Sequence, residues 1–125
     1  MAFSDRVLLL RPEMRPGVLI AHLSGTLAQG TYGAAFKLLR ESLGPEVRGV
    51  VLAMGEVEYL SSAGIAALAR LQADLGGLHI ALRIAGARPF IVRLLEAVGL
   101  HPQIPQDRSV ADAVASLSAV ASSPS

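Results

Sequence analysis

Alternation of apolar and polar residues predicts the strands of this chain. Residues 6–10 and 18–23 alternate as half-buried strands do, and residues 11–17 between them, with two prolines and a glycine, predict the turn of a hairpin. Residues 47–54 are almost continuously apolar, which is typical of a strand covered on both faces. Residues 78–84 alternate again, and a short extended piece is expected around Gln103-Ile104.

Apolar residues that recur every three or four positions predict four helices. The first begins after Thr31, which is expected to cap it, and the second spans about residues 63–75. The third begins at Pro89, and the last begins at Ser109 with a capping-box spacing. The residues expected to face the core are Tyr32, Ala35, Phe36, Leu39 and Leu43; Ile65, Leu68, Leu71 and Leu75; Phe90, Leu94, Leu95 and Val98; and Val110, Ala113, Val114, Leu117 and Val120.

The order of these elements predicts the fold class. Strands separated by single helices imply right-handed crossovers and parallel pairing, whereas the first two strands form an antiparallel hairpin. We therefore expect an α/β fold: a single mixed, mostly parallel sheet with an N-terminal antiparallel strand and about four helices packed on it. At 125 residues and 52% apolar content, the chain can form one domain with its own core. That domain is expected to occupy residues 1–125, with a core at about 6–120 and a flexible tail at 121–125.

Charge and cysteine content narrow the classes of function. Eleven basic and ten acidic residues give a net charge of +1 without a basic run, so no nucleic-acid partner is expected. The absence of cysteine excludes disulfides and thiolate chemistry, and the three dispersed histidines (His22, His79 and His101) lack the spacing of metal ligands. The sequence shows no membrane-length apolar stretch and no signal peptide, so we expect a cytoplasmic protein without direct membrane insertion.

The sequence also lacks the arrangements on which the common enzyme and cofactor sites depend. Gly25 and Gly30 have the spacing of a phosphate-binding loop, but Thr31 occupies the position of the required lysine, so turn glycines are the better interpretation. Ser62 follows Ser61 and Leu60 and has no nucleophile-elbow glycine before it. We therefore expect neither catalysis nor a bound cofactor.

The sequence Ser61-Ser62-Ala63-Gly64 lies where the apolar strand gives way to the second helix. Unpaired backbone N–H groups and the positive end of the helix dipole meet at such a position, so a phosphate added to a serine there is electrostatically favoured. The simpler interpretation is that one of the two serines only caps the helix. Local sequence leaves both interpretations open.

Residues 50–68, which contain the serine pair, resemble the signature of the STAS domain, a family named for sulfate transporters and anti-sigma factor antagonists. In that signature an apolar strand leads into D-S-[ST/A]-G-[LI] at the start of a helix. Residues 23–27 are similar to the family's segment after the second strand, and residues 87–100 are similar to its third helix. The resemblance covers roughly residues 6–120, with the same order of elements.

The resemblance implies a partner-switching regulator of transcription. In the antagonist branch, the domain binds an anti-sigma factor that is also a serine kinase, phosphorylation of one serine breaks the complex, and a PP2C-type phosphatase restores it. The phosphorylated position corresponds to Ser62, and the expected partner-binding residues are Ser61, Ser62, Ile65, Ala66 and Ala69.

Three residues depart from the family pattern. Ser61 replaces the motif aspartate, Ala28 replaces a second aspartate, and Ala53 replaces a polar residue of the third strand. The acidic surroundings of the phosphorylated position are therefore depleted. An accessory subunit of an ABC-type lipid transport system, acting as a constitutive protein-interaction module, is the second hypothesis. Nucleotide binding is a third.

Overall fold

Five strands form one mixed sheet whose order in space follows their order in the sequence. The computed structural model describes residues 7–100 and 103–121. In it β1 pairs antiparallel with β2, and the pairings from β2 to β5 are all parallel, which confirms the predicted fold class. The strands are β1 (Leu8–Arg15), β2 (Val18–Leu27), β3 (Gly49–Leu60), β4 (Ala81–Ala85) and β5 (Gln106–Asp107). The helices are α1 (Tyr32–Glu41), α2 (Ser62–Gly77), α3 (Pro89–Ala97) and α4 (Val110–Ala121).

The helices cover the two faces of the sheet unequally. Buried residues of α1, α2 and α3 pack in one cluster with alternate residues of the central strands, such as Leu19, Leu52 and Ile84. Ala113 and Leu117 of α4 pack in a smaller cluster on the opposite face. The larger cluster supplies most of the buried apolar surface, and this burial is the main stabilising contribution. Among the described residues, no helix combines the length and the apolar content that crossing a bilayer requires.

Strand β1 extends further than the sequence predicts. The turn was expected at residues 11–17, but β1 continues to Arg15, and only Pro16 and Gly17 connect it to β2. The N–H of Thr26 donates to the carbonyl of Val7 at 2.8 Å, so Val7 belongs to a hydrogen-bonded pair of the ladder. Because hydrogen-bonded and non-hydrogen-bonded pairs alternate along antiparallel strands, Pro12 belongs to a non-hydrogen-bonded pair, and its backbone nitrogen faces away from β2. Proline is tolerated there because an edge strand needs no donor on its outer side.

Strand β3 contains two irregularities in its pairing with β2. His22 lies opposite Ala53 and Ser24 opposite Glu56, so β3 contains one extra residue between these two pairs. A second shift lies between Gly25 and Thr26, again with the extra residue in β3. Such bulges interrupt the alternation of faces. Strand β3 reaches residue 60 instead of the predicted 54, and a pair of exposed residues lies at each bulge.

Several other boundaries differ from the predictions. Strand β2 continues to Leu27 instead of residue 23, and β5 lies at residues 106–107 instead of 103–104. Strand β4 begins at Ala81 instead of residue 78, because α2 extends to Gly77 and Leu78 caps its C-terminal end. Leu78 is consequently 63% exposed.

The helix starts were predicted more closely than the strand ends. Helix α3 begins at Pro89 and α4 follows Ser109, whose Oγ accepts a hydrogen bond from the N–H of Asp112 at 3.1 Å. The expected apolar face of α3 is wrong in part: Leu95 is buried together with Ile91, whereas Phe90 and Val98 are 43% and 48% exposed. The expected inward residue Val120 lies among those whose side chains the structure does not describe.

Candidate functional site

The serine pair lies at the carboxyl edge of the parallel strands, where β2 and β3 end side by side. The N–H of Ser61 donates to the carbonyl of Leu27, the last residue of β2, at 3.0 Å. This bond joins the start of α2 to the start of the loop that leads to α1. The candidate site therefore consists of two segments, residues 27–31 and 61–64. They are distant in the sequence, and the sequence analysis did not predict that they are neighbours.

The two serines have different roles in the structure. Ser61 is the N-cap of α2, and its Oγ accepts a hydrogen bond from the N–H of Gly64 at 3.1 Å. Ser62 is the first residue of the helix and is exposed, and its hydroxyl has no hydrogen-bond partner among the described residues. The capping interpretation and the modification interpretation thus apply to different residues.

Gly64 places the start of α2 directly against the end of β2. A Cβ atom at this position would collide with the carbonyl oxygen of Leu27 and approach Cδ1 of Leu60 to 3.0 Å. The obstacle is backbone, which cannot move aside as a flexible side chain can. Glycine is therefore required by the close approach of the helix to the strand, and it fixes the position of Ser62 at the sheet edge.

The loop after β2 is closed by the side chain of Thr31. Its hydroxyl is within hydrogen-bonding distance of the carbonyl oxygens of Thr26, at 2.8 Å, and Ala28, at 2.9 Å, and it accepts from the N–H of Ala28 at 2.9 Å. Thr31 occupies the N-cap position of α1, but its side chain makes no capping hydrogen bond. The expectation that it caps α1 is therefore wrong, since the loop before the helix uses its hydroxyl instead.

The N-terminal end of α2 has little negative charge. Its first turn contains no acidic residue, the cap Ser61 is neutral, and Ala28 lies in the neighbouring loop. The exposed carboxylates of Glu56 and Glu58 lie on β3 before the serine pair. The partial positive charge of the helix end is therefore not neutralised by a side chain of that turn.

The predicted partner-binding residues of α2 lie on one side of the helix and are exposed to solvent to different degrees. Ala66 is exposed one turn after Ser62, whereas Ile65 and Ala69 are partly buried and pack against the larger core cluster. The exposed part of this surface consists of small side chains that let another molecule approach the helix closely.

Two of the histidines are far from this site. His22 on β2 lies 2.8 Å from the Oε1 of Glu13 on β1, and His79 is exposed in the connection after α2 with a φ of 60°. His101 lies outside the described residues. Within the described ranges, no three His, Asp or Glu side chains come together as metal ligands would.

A comparison of the sequence with models of protein families matches residues 10–113 to the STAS domain. The chain belongs to the STAS domain family. No match is found among curated proteins. Known structures agree with the family in fold: an anti-sigma factor antagonist from Mycobacterium paratuberculosis is 23% identical with a TM-score of 0.77, and the similarity covers 89% of this chain and 94% of that one.

Two further solved structures are similar to this chain in fold. A sulfate transporter family protein from Wolinella succinogenes is 17% identical with a TM-score of 0.74, covering 89% of this chain and 93% of that one. The phosphorylated form of the Bacillus cell fate determinant SpoIIAA is 15% identical with a TM-score of 0.63, covering 87% and 99%. At these identities the likeness concerns the fold.

Sequence reasoning missed three features of this STAS site. It did not identify the carbonyl of Leu27 as the acceptor for Ser61, nor Thr31 as the residue that closes the loop. It also ended β3 before the bulges that expose Glu58 and Tyr59 beside the serine pair. Met54, Val57 and Leu60 are apolar residues spaced by three in the sequence, and this spacing is the signal that could have revealed the bulges.

Proposed function

We propose that this STAS domain is a partner-switching regulator of the anti-sigma factor antagonist type. In this proposal it binds an anti-sigma factor that is also a serine kinase, and phosphorylation of Ser62 ends the binding. The observation that carries the proposal is the division of roles between the serines: Ser61 caps α2, which leaves the Ser62 hydroxyl exposed and without a partner among the described residues.

The chemistry of a phosphate at Ser62 supports a switch without a change of fold. The phosphate adds about −1.5 to −2 charges at the positive end of a helix dipole, where it is tolerated. The same charge and volume disrupt an interface shaped around a small neutral hydroxyl. A loss of about 3 kcal/mol would weaken binding about a hundredfold.

The surface around Ser62 supports binding of a protein partner. Ala66 is exposed one turn further along α2, and Ile65 and Ala69 border it. Small side chains on an exposed helix allow a partner's backbone or helix to approach closely. An exposed hydroxyl at the start of a helix is also accessible to a kinase and to the PP2C-type phosphatase that would reverse the modification.

The comparisons support the proposal at the level of the family. STAS domains include the anti-sigma factor antagonists, and one similar structure is described as a phosphorylated form. We extend from this the finer assignments: regulation of transcription, a phosphoprotein, and a cytoplasmic location without enzymatic activity of its own.

The test is a reconstitution with the anti-sigma factor kinase encoded nearest to the gene. We expect ATP-dependent phosphate incorporation at Ser62, located by mass spectrometry, and loss of the complex measured by calorimetry. Ser62→Ala should abolish incorporation and keep the complex, whereas Ser62→Asp should weaken it. Ser61→Ala is the control for phosphate incorporation alone, which it should retain, since it leaves the exposed hydroxyl of Ser62 in place. Equal binding by the unmodified protein, Ser62→Ala and Ser62→Asp would contradict the switch.

A constitutive role as accessory subunit of an ABC-type lipid transport system is the second candidate. The neutral cap at Ser61 and the small exposed side chain of Ala66 favour it, because a permanent interface requires no acidic surroundings for a phosphorylated residue. The transporter ATPase would then bind the protein equally well with Ser62→Asp and Ser62→Ala. Binding to the ATPase with no incorporation of phosphate would favour this role over the switch.

A further inference from the structure

Helices α1 and α2 lie side by side on one face of the sheet and run in the same direction. Each connects two parallel neighbouring strands, so each begins at the carboxyl edge of the sheet and runs back along it. Arg40 in the last turn of α1 donates through Nη2 to Oδ2 of Asp74 in α2 at 3.0 Å. This ion pair shows which sides of the two helices face each other.

The ion pair fixes the alignment of the residues before it, because residues three or four apart lie above one another on a helix. One turn nearer the carboxyl edge, Lys37 of α1 lies across from Arg70 of α2. One turn further, Gly33 lies across from Ala66, and α2 begins with Ser62. All five residues are exposed. We call the surface that these five residues form the α1–α2 groove.

The α1–α2 groove is positively charged. In the described part of the chain, Lys37 and Arg70 form no ion pair. Asp74 is engaged by Arg40, and Glu41 lies one turn beyond Lys37, away from the carboxyl edge. Neither helix has an acidic residue in its first turn, so both helix dipoles add positive potential at the same end of the groove.

The two cations of the groove repel each other in the isolated domain. Lys37 and Arg70 lie across from one another on facing helices, and like charges in that arrangement are weakly destabilising. A local conflict of this kind, without a compensating contact, is typical of a functional surface. The repulsion disappears when a partner places carboxylates between the two side chains, so the charge pattern favours an acidic occupant.

The row next to the two cations allows a close contact. Gly33 has no side chain, nothing lies within 4 Å of a Cβ atom built there, and Ala66 adds only a methyl group. The axis of another helix can therefore come near this row, since the distance between packed helices depends on the side chains at the contact. Carboxylates one turn further along such a helix would reach Lys37 and Arg70.

We propose that the α1–α2 groove binds an acidic helix of the protein partner. The inference rests on the proposed function and specifies the chemistry of that partner. Ser61 and Ala28 stand where the family pattern has aspartates, and neither segment of the candidate site contains a carboxylate that would oppose acidic side chains. Charge complementarity of this kind gives specificity and speeds association more than it adds affinity.

The groove also gives a phosphate on Ser62 a direct means of ending the contact. Ser62 and Arg70 are eight residues apart in α2, or about 12 Å along the helix axis. That distance exceeds the Debye length of about 10 Å at 0.1 M salt, so Arg70 does not neutralise the phosphate. The phosphate instead repels the acidic helix that lies over Ala66.

The test measures binding of the full chain to the anti-sigma factor kinase encoded nearest to the gene, by calorimetry at low and at high salt. Lys37→Gln and Arg70→Gln should each weaken binding about three- to fivefold at low salt, and the double variant about tenfold. Binding of wild type should weaken as salt rises, and that of the double variant should depend less on salt. Arg93→Gln is the matched control and should bind as wild type does, because Arg93 is an exposed arginine of α3 without an ion pair among the described residues. The groove variants should unfold no earlier than wild type, since a repulsion is removed.

The outcomes separate this inference from the proposed switch. A complex that Ser62→Asp breaks, but that the double variant forms as well as Arg93→Gln does, would overturn the acidic helix and leave the switch standing. A complex that the double variant loses, but that Ser62→Asp keeps, would support the groove and contradict the switch. Absence of any complex with the kinase at low salt would contradict both.

Vesicles that contain phosphatidylglycerol are the second probe, and wild type should not bind them. Vesicle binding that requires Lys37 and Arg70, together with a kinase complex that the double variant forms normally, would assign the groove to a membrane surface and overturn the proposal.

Discussion

The backbone N–H of Gly64 donates to the Oγ of Ser61 at 3.1 Å, so α2 is capped by a neutral oxygen. A hydroxyl satisfies one of the free N–H groups of the first turn but adds no fixed charge there. In the proposed switch, the negative charge at this end of the helix comes from modification of Ser62. A phosphate there would be the first negative charge in this turn, since neither the cap nor the first turn of α2 contains a carboxylate.

The capping role of Ser61 can be measured through stability. Ser61→Ala should lower the free energy of unfolding by about 1 kcal/mol, the usual loss for an N-cap. Ser62→Ala should change it by less than about 0.5 kcal/mol, since its hydroxyl is exposed. Ser61→Asp should keep the cap and gain about 0.3–1 kcal/mol from the helix dipole. Urea unfolding of the three variants checks the order; equal losses for the two alanine variants would contradict the division of roles.

Replacement of Gly64 tests the close approach of α2 to β2. Gly64→Ala should destabilise the fold by about 1–3 kcal/mol, because the added methyl meets the backbone carbonyl of Leu27. Gly76→Ala is the matched control in the same helix, since nothing lies within 4 Å of a Cβ there. It should stabilise the protein by about 0.5–1 kcal/mol through helix propensity. Thermal unfolding would refute the argument if both substitutions shifted the midpoint in the same direction.

The sequence predicts the order of elements because each helix buries an apolar stripe and each strand is flanked by turn residues. It fails where tertiary context decides. Pro12 reads as a turn residue, and only its place on an outer edge makes it compatible with β1. The predicted β3 ends six residues too early, because two bulges replace the period of two by a period of three. A search for alternating residues does not detect that period.

The candidate site was predicted in part for the same reason. The local pattern places Ser61 and Ser62 at a helix start, and this is where the structure has them. Which serine caps the helix depends on the direction of each hydroxyl, and the neighbouring carbonyl of Leu27 comes from a distant segment. Neither can be derived from periodicity or spacing.

The contact between Glu13 and His22 predicts a pH dependence of stability. Hydrogen bonds from His22 and then from Arg15 favour the ionised carboxylate, so the pKa of Glu13 lies below its ordinary value. An acid whose pKa is lowered by folding stabilises the fold when ionised. That contribution is complete above the ordinary pKa of glutamate and is lost as the pH falls through the lowered value.

Glu13→Gln isolates this contribution. The free energy of unfolding of wild type minus that of the variant should be positive above the ordinary glutamate pKa, and it should shrink as the pH falls below that value. Urea unfolding over a pH series gives the difference. A difference that grows toward low pH would contradict the assigned direction of the shift.

Gln106 predicts a stabilising substitution. Both polar atoms of its side chain are buried, and neither has a hydrogen-bond partner among the described residues. Its pairing with Ile84 places the side chain on the face of the sheet that α1, α2 and α3 cover. A buried amide without partners costs about 1–3 kcal/mol.

Gln106→Met keeps the shape and removes the amide, so it should raise the free energy of unfolding by about 1 kcal/mol or more. Gln103→Met, at an exposed position, is the control and should change stability by less than about 0.5 kcal/mol. A loss of stability in Gln106→Met would mean that the amide is hydrogen-bonded in the folded protein.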